Sequence, residues 1–278
     1  MHLNWERLQA QADSGPTAWP FIAGAILFAL ALVWVVIKAQ ARHGRLIGTR
    51  DKLQPQISAL HAYVMTAPAT FVYIAIFSAT SGIQKGSPEK ALQAITVANS
   101  TNIVEILTNP FRVLISSALL VADNGFLWIG YVVVFVLIAA RLEQRLGSAR
   151  WLVVAVMSHV VGTLLTVTIE TLLVHFALLP KSTVVTADVG VSYIMVGTCG
   201  AYLWLISKRW RIPYFVAVGA GILGPLIFSH QIWDLGHFLA TIIGVLTGWW
   251  MIRIAPLHPR LTWKRMAGGE QRVELIRP

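Results

Sequence analysis

The chain of 278 residues is 56% hydrophobic and 12% charged, with a formal net charge of +10. A soluble domain carries about 25% charged residues. This chain carries half that, and its repeated apolar runs near 20 residues make it an all-α polytopic membrane protein. One cysteine, Cys199, excludes an internal disulfide and a cysteine metal cluster, and the basic residues lie in short loops and tails, where they orient spans rather than bind nucleic acid.

Seven spans are predicted in chain order. The first covers residues 20–38 and the second 61–83. Residues 1–20 are polar, with no basic region before the first apolar run and no small-residue cleavage site after it, which reads against a cleavable signal peptide. The polar stretch 86–109 contains Ala91, Leu92, Ile95 and Ala98, a pattern for a short amphipathic helix on the membrane surface. The stretch 114–140 is too long for one span. Its Ala122-Asp123-Asn124-Gly125 interruption reads as a turn between an interfacial segment and a third span from Phe126 to about Ala140. Spans four to seven cover 151–173, 189–206, 212–228 and 235–252. The basic tail from His258 is expected to be solvated.

Lys and Arg in the short loops set the orientation. Lys38, Arg42, Arg45, Arg50 and Lys52 follow span one, Arg141, Arg145 and Arg150 follow span three, and Lys208, Arg209 and Arg211 follow span five. The alternate loops are poorer, so the N-terminus is expected outside and the C-terminus in the cytoplasm. Spans five and seven then both run inward, and Ser192 and His237 both lie a few residues below the outer surface. A polar residue inside a bilayer is expensive and marks function by default, and a His within reach of a Ser is the minimal activated nucleophile.

Small residues support such a meeting. Gly197, Gly200 and Ala201 form one helical face, and Ala240, Gly244 and Gly248 another. Two such faces let helices approach closely. Competing readings exist for each residue. An isolated membrane serine usually bonds a carbonyl one turn back. Asp234 is suited to cap the helix of His237, and Asp188 to a cap or loop role. His159 in span four reads as a buried neutral imidazole bonded to a neighbouring helix. Glu170 faces either a cavity or the headgroups.

Four segments resemble the rhomboid family of intramembrane serine proteases. They are Gly190-Val191-Ser192-Tyr193 with Gly197 and Gly200; His237 with Ala240, Gly244 and Gly248; Leu142-Glu143-Gln144-Arg145-Leu146-Gly147-Ser148; and Pro110-Phe111-Arg112. They span roughly 60–255 in the family's order. The resemblance implies a rhomboid-like six-helix core plus one additional N-terminal transmembrane helix. The expected organisation is an extracytoplasmic tail (1–19), the additional helix (20–39), a basic cytoplasmic linker (40–60), the six-helix membrane domain (61–255) and a basic cytoplasmic tail (256–278).

The resemblance also implies a catalytic Ser192–His237 dyad acting on transmembrane segments of other proteins, without metal or organic cofactor. The family commonly has a His and an Asn, four residues apart, that help bind the oxyanion. Those positions fall here at Phe126 and Gly130, which have no side-chain donor, with Asn124 nearby as a substitute. Tyr193 replaces the glycine after the nucleophile, so Gly190, Val191 and Tyr193 are expected to line the site. The alternative is a pseudoprotease that holds membrane clients without cutting them. A transporter has less support, because the spans contain few acidic residues and no paired broken helices. The expected location is a bacterial inner membrane, and the sequence carries no signal of oligomeric state.

Overall fold

The computed structural model describes residues 19–85, 89–121, 127–228 and 231–267. Among these residues the only regular elements are helices. They are α1 (Trp19–Arg42), α2 (Ile47–Met65), α3 (Pro68–Lys85), α4 (Glu89–Ala98), α5 (Ile103–Thr108) and α6 (Pro110–Ser117). The helix α7 runs through Leu127–Val134, a π-helical stretch Phe135–Ala139, and Ala140–Leu146. There follow α8 (Ser148–His175), α9 (Val191–Tyr202), α10 (Lys208–Phe228), α11 (Ile232–Ile254) and α12 (Trp263–Ala267).

Four of them, α1, α8, α10 and α11, are long and apolar enough to cross a membrane, and the pair α2–α3 makes up to five. That pair corrects the second predicted span. The chain bends by 85° between α2 and α3, because Pro68 has no N–H with which to continue α2. Thr66 Oγ1 instead donates back to Ala62 O and Tyr63 O at 2.7 and 3.1 Å. The third and fifth predicted spans appear as the π-interrupted α7 and the short α9, which a 3₁₀ turn extends to Leu205. The turn 122–125 and Phe126 lie outside the described residues.

The segment Leu142-Glu143-Gln144-Arg145-Leu146-Gly147-Ser148 holds the α2–α3 corner. The first N–H groups of a helix have no intrahelical partner. Those of Ala69 and Thr70 donate to the buried carboxylate of Glu143 at 2.9 and 2.7 Å. Ser148 Oγ donates to the same carboxylate at 2.6 Å, and Gln144 Nε2 donates to Thr66 Oγ1 at 3.0 Å. Gly147 has φ +85, which turns the chain from α7 into α8 in a conformation other residues rarely adopt. Nearby, Tyr73, Phe77, Phe135 and Trp151 pack edge-on or tilted, with ring centroids 5.2–6.4 Å apart.

The molecule's centre is the trio α8, α9 and α11. A Cβ on Gly244 would fall 2.0 Å from Gly197 O, one on Gly200 2.5 Å from Thr241 O, and one on Gly248 2.7 Å from Ala201 Cα. Only backbones without side chains fit this closely. Residue numbers rise together along α9 and α11, so these helices are parallel. On α8, Ser158 meets Gly197 while Gly162 meets Tyr193, so α8 runs antiparallel to α9.

The C-terminal segment corrects the reading of a solvated tail. Met266 on α12 is buried against Ala59, Tyr63 and Ala140, and His258 N donates to Arg145 O at 2.9 Å. Burial of apolar side chains docks this segment as far as Ala267.

Candidate active site

Ser192 stands in the first turn of α9 and His237 in the second turn of α11. Because those helices are parallel and interlocked, both residues occupy the same end of the molecule. The start of α11 is fixed by a capping box in which Gln231 and Asp234 bond each other's backbone N–H. Gln231 is therefore the N-cap, and Asp234 is the third helical residue rather than the cap expected from sequence. The charge of Asp234 hid this, because it interrupts an apolar stretch whose first helical residues, Ile232 and Trp233, precede it.

Next to Ser192 in the chain and packed against His237 is Tyr193, which is fully buried. Its ring meets the His237 ring edge-on at 5.6 Å between centroids, and the His159 ring at 6.3 Å. Its hydroxyl donates to Asp188 Oδ2 at 2.6 Å. A Cβ on Gly236 would lie 1.7 Å from that hydroxyl, so the glycine before His237 makes room for Tyr193. The Asp188–Tyr193 pair and the role of Gly236 were not foreseen. The five-residue offset crosses a loop-to-helix boundary, where no periodicity links the two positions.

Ser192 Oγ is buried and donates to Val189 O at 3.2 Å. His237 Nε2 is buried with no hydrogen-bond partner. The two side chains therefore share an end of the fold but no hydrogen bond. Val191 and Ser192 occupy the first turn of α9, where backbone N–H groups have no intrahelical acceptor. Of the other residues singled out in the sequence, Gly130 is exposed on α7, and a Cβ there would touch nothing within 4 Å. Phe126 and Asn124 lie outside the described residues.

A polar network braces the turn that leads into Ser192. Gly190 N donates to Ser117 O at 2.9 Å, and Thr101 N to Asp188 O at 2.8 Å. His159 Nε2 lies 2.8 Å from Leu114 O and 3.3 Å from Ser117 Oγ. A carbonyl oxygen only accepts, so Nε2 carries the proton and is no base toward Ser117. Nδ1 of the same ring is packed on Gly190, where a Cβ would lie 2.4 Å away. His159 thus ties α8, α6 and the Ser192 turn together, as the sequence reading of a bonded buried histidine anticipated. Arg112 secures the preceding helices by donating to Glu105 Oε2 at 2.8 Å and Ala98 O at 2.9 Å.

Burial pushes the Asp188 carboxyl up to about 6, against hydrogen bonds from Tyr193, Val189 N–H and Thr101 that pull it down. Glu170 on α8 is buried rather than at the headgroups, and it is near enough for its carboxyl to interact with that of Asp188. Among the described residues, no group of three His, Cys, Asp or Glu side chains is placed to hold a metal ion.

No curated protein and no solved structure matches the chain. A family model described as rhomboid-like protein matches residues 62–253. That interval begins in α2 and ends at the close of α11, so it takes in the corner, the interlocked trio and both Ser192 and His237, and leaves out α1 and α12. The chain belongs to the family of rhomboid-like proteins.

Proposed function

We propose that this integral membrane protein is an intramembrane serine protease that cleaves transmembrane segments of client proteins. Ser192 is the nucleophile and His237 the general base. The observation that carries this reading is the unpartnered, buried His237 Nε2 at the same end of the parallel α9–α11 pair as Ser192. A buried nitrogen without a partner carries a desolvation penalty. A base awaiting its proton donor is a physical reason to tolerate it.

In this mechanism Ser192 Oγ leaves Val189 O by a side-chain rotation and gives its proton to His237 Nε2 as it attacks a client peptide carbonyl. The carbonyl oxygen becomes an oxyanion, held by first-turn N–H groups around Ser192. Its collapse expels the amine, which takes the proton from His237, and leaves an acyl-enzyme. Water, deprotonated by His237, then releases the acid product. A client carbonyl must leave its helical hydrogen bond before attack, so helix-destabilising residues near the scissile bond favour cleavage. Gly130 offers no side-chain donor, and one missing oxyanion donor reduces rate by about 100- to 1,000-fold. Slow turnover is expected. The loop charges orient the N-terminus outward and the C-terminus to the cytoplasm, in what we take to be a bacterial inner membrane.

A second reading, a pseudoprotease that binds clients without cleavage, is favoured by the Ser192 Oγ bond to Val189 O and by Gly130. Co-expression with a panel of tagged single-span reporters separates the two. A protease gives shortened reporter with the wild type and none with Ser192→Ala or His237→Ala. A pseudoprotease gives no product, while reporters co-purify equally with all three.

A further inference from the structure

At the opposite end of α9 from Ser192 lies a cavity of about 280 Å³. Three arginines line it: Arg141 and Arg145 from the end of α7, and Arg260 from the segment after α11; the Arg141 guanidinium also lies over the Tyr63 ring, 5.9 Å from its centroid. Ser207, Tyr202 and Trp210 also line it, and no carboxylate does. The arrangement is built rather than incidental. The backbone bond from His258 N to Arg145 O brings the chain after α11 back onto α7. Arg260 Nη2 then donates to Leu205 O at 3.1 Å.

The charges there lack compensation among the described residues. The salt bridges found are Arg50–Asp51 and Arg112–Glu105, neither at this cavity. The acid nearest in sequence, Glu143, is committed to Ala69 N, Thr70 N and Ser148 Oγ. Arg145 and Arg260 stand close enough to repel one another, and Arg145 Nε is buried without a partner. Holding like charges together around an open space is unfavourable until an anion enters. Guanidinium forks match phosphate oxygens in pairs, and Tyr202 and Trp210 are residue types suited to a membrane interface.

We infer that the Arg141–Arg145–Arg260 cavity binds a phosphate-bearing anion, either the headgroup of an acidic phospholipid or a free phosphate. The loop charges that orient the chain put this cavity on the same side as the basic loops, where anionic headgroups attract basic residues. Ordinary positive-inside charge would act through its total and be indifferent to position. A fork-shaped site distinguishes arginine from lysine.

The test uses purified full-length protein in an uncharged detergent, with the thermal unfolding midpoint followed during titration. The probes are short-chain phosphatidylglycerol, short-chain phosphatidylcholine, and inorganic phosphate against chloride at equal ionic strength. Binding to the folded state raises the midpoint saturably. The expected result is saturation by phosphatidylglycerol, with half-saturation weakened about tenfold or more in Arg145→Lys/Arg260→Lys and unchanged in Arg253→Lys, outside the cavity. Should the double variant fail to fold, Arg260→Ala alone is to give the same direction of change. Saturation by inorganic phosphate as well identifies a site open to free phosphate, whereas phosphatidylglycerol alone identifies the lipid headgroup. The proposal is overturned if neither probe saturates, if phosphatidylcholine acts equally, or if the charge-preserving double variant binds like the wild type.

Discussion

Two helices of similar hydropathy character, α10 and α11, show how differently this chain uses an apolar segment. None of the apolar window of α10 is buried within the protein, against 33% for α11 and 44% for its partner α8. In α10, a Cβ added to Gly219, Gly221 or Gly224 meets nothing within 4 Å. In α11, a Cβ on Gly236, Gly244 or Gly248 strikes Tyr193, Gly197 or Ala201. Glycine content alone therefore does not identify a packed helix. What separates the two is register: the α11 glycines lie against α9, at Tyr193, Gly197 and Ala201, whereas Gly219, Gly221 and Gly224 of α10 have open space before them. The additional helix α1 resembles α10, with none of its apolar window buried and Phe21 against Gly82 as one of its few close contacts.

The contrast is broken most sharply by Gly244→Val. Its side chain cannot enter without moving the Gly197 backbone, so a loss of about 3 kcal/mol or more is expected. Unfolding in detergent monitors it, and a wild-type midpoint would show that α9 and α11 do not interlock as described. Tyr193→Phe comes next. It removes the 2.6 Å bond to Asp188 and leaves a buried acceptor without its donor, which destabilises by about 1–3 kcal/mol. The same unfolding measurement, repeated in Asp188→Asn/Tyr193→Phe, should show the two effects to be non-additive.

A pH effect follows from Asp188. Its folded-state pKa is raised from 3.8 to about 6, so the folded protein holds that proton more tightly than the unfolded chain does. The contribution to stability is greatest below the unfolded value. It falls as pH rises from about 4 to about 6, then levels off. In Asp188→Asn the part of the fall that belongs to this carboxyl is lost, so unfolding midpoints between pH 4 and 7 decline less steeply than in the wild type. The smallest effect belongs to α10. Gly221→Ala has open space and gains helix propensity, so it is expected to stabilise by up to about 1 kcal/mol. A destabilised Gly221→Ala would mean that α10 packs on something at that face.

Much of this was legible in the sequence, for identifiable reasons. The small residues Gly197, Gly200, Ala240, Gly244 and Gly248 recur at helical spacing, and close helix contact requires such residues. Segment 142–148 was recognisable as a pattern, yet its physical content was not. That Glu143 receives N–H groups 73 and 74 residues away depends on the α2–α3 bend, and hydropathy does not register a bend inside an apolar run. Pro68 was the available signal for it. The docking of Met266 was hidden for the converse reason, since Leu261, Trp263 and Met266, scattered among basic residues over a few positions, are too short a run to leave a periodic trace. His159 was readable as bonded and buried, but its partners Leu114 and Ser117 come from a short helix whose tertiary position no local pattern specifies.

The proposed protease activity requires that Ser192 be a nucleophile activated by His237. A fluorophosphonate probe tests it directly, because it reacts irreversibly with an activated serine whatever the client. The protein would be labelled in membranes and the adduct located by mass spectrometry, for the wild type, Ser192→Ala and His237→Ala. An adduct is expected on Ser192 in the wild type and none in either folded variant. Absence of an adduct from the folded wild type, or an undiminished Ser192 adduct in His237→Ala, would contradict it.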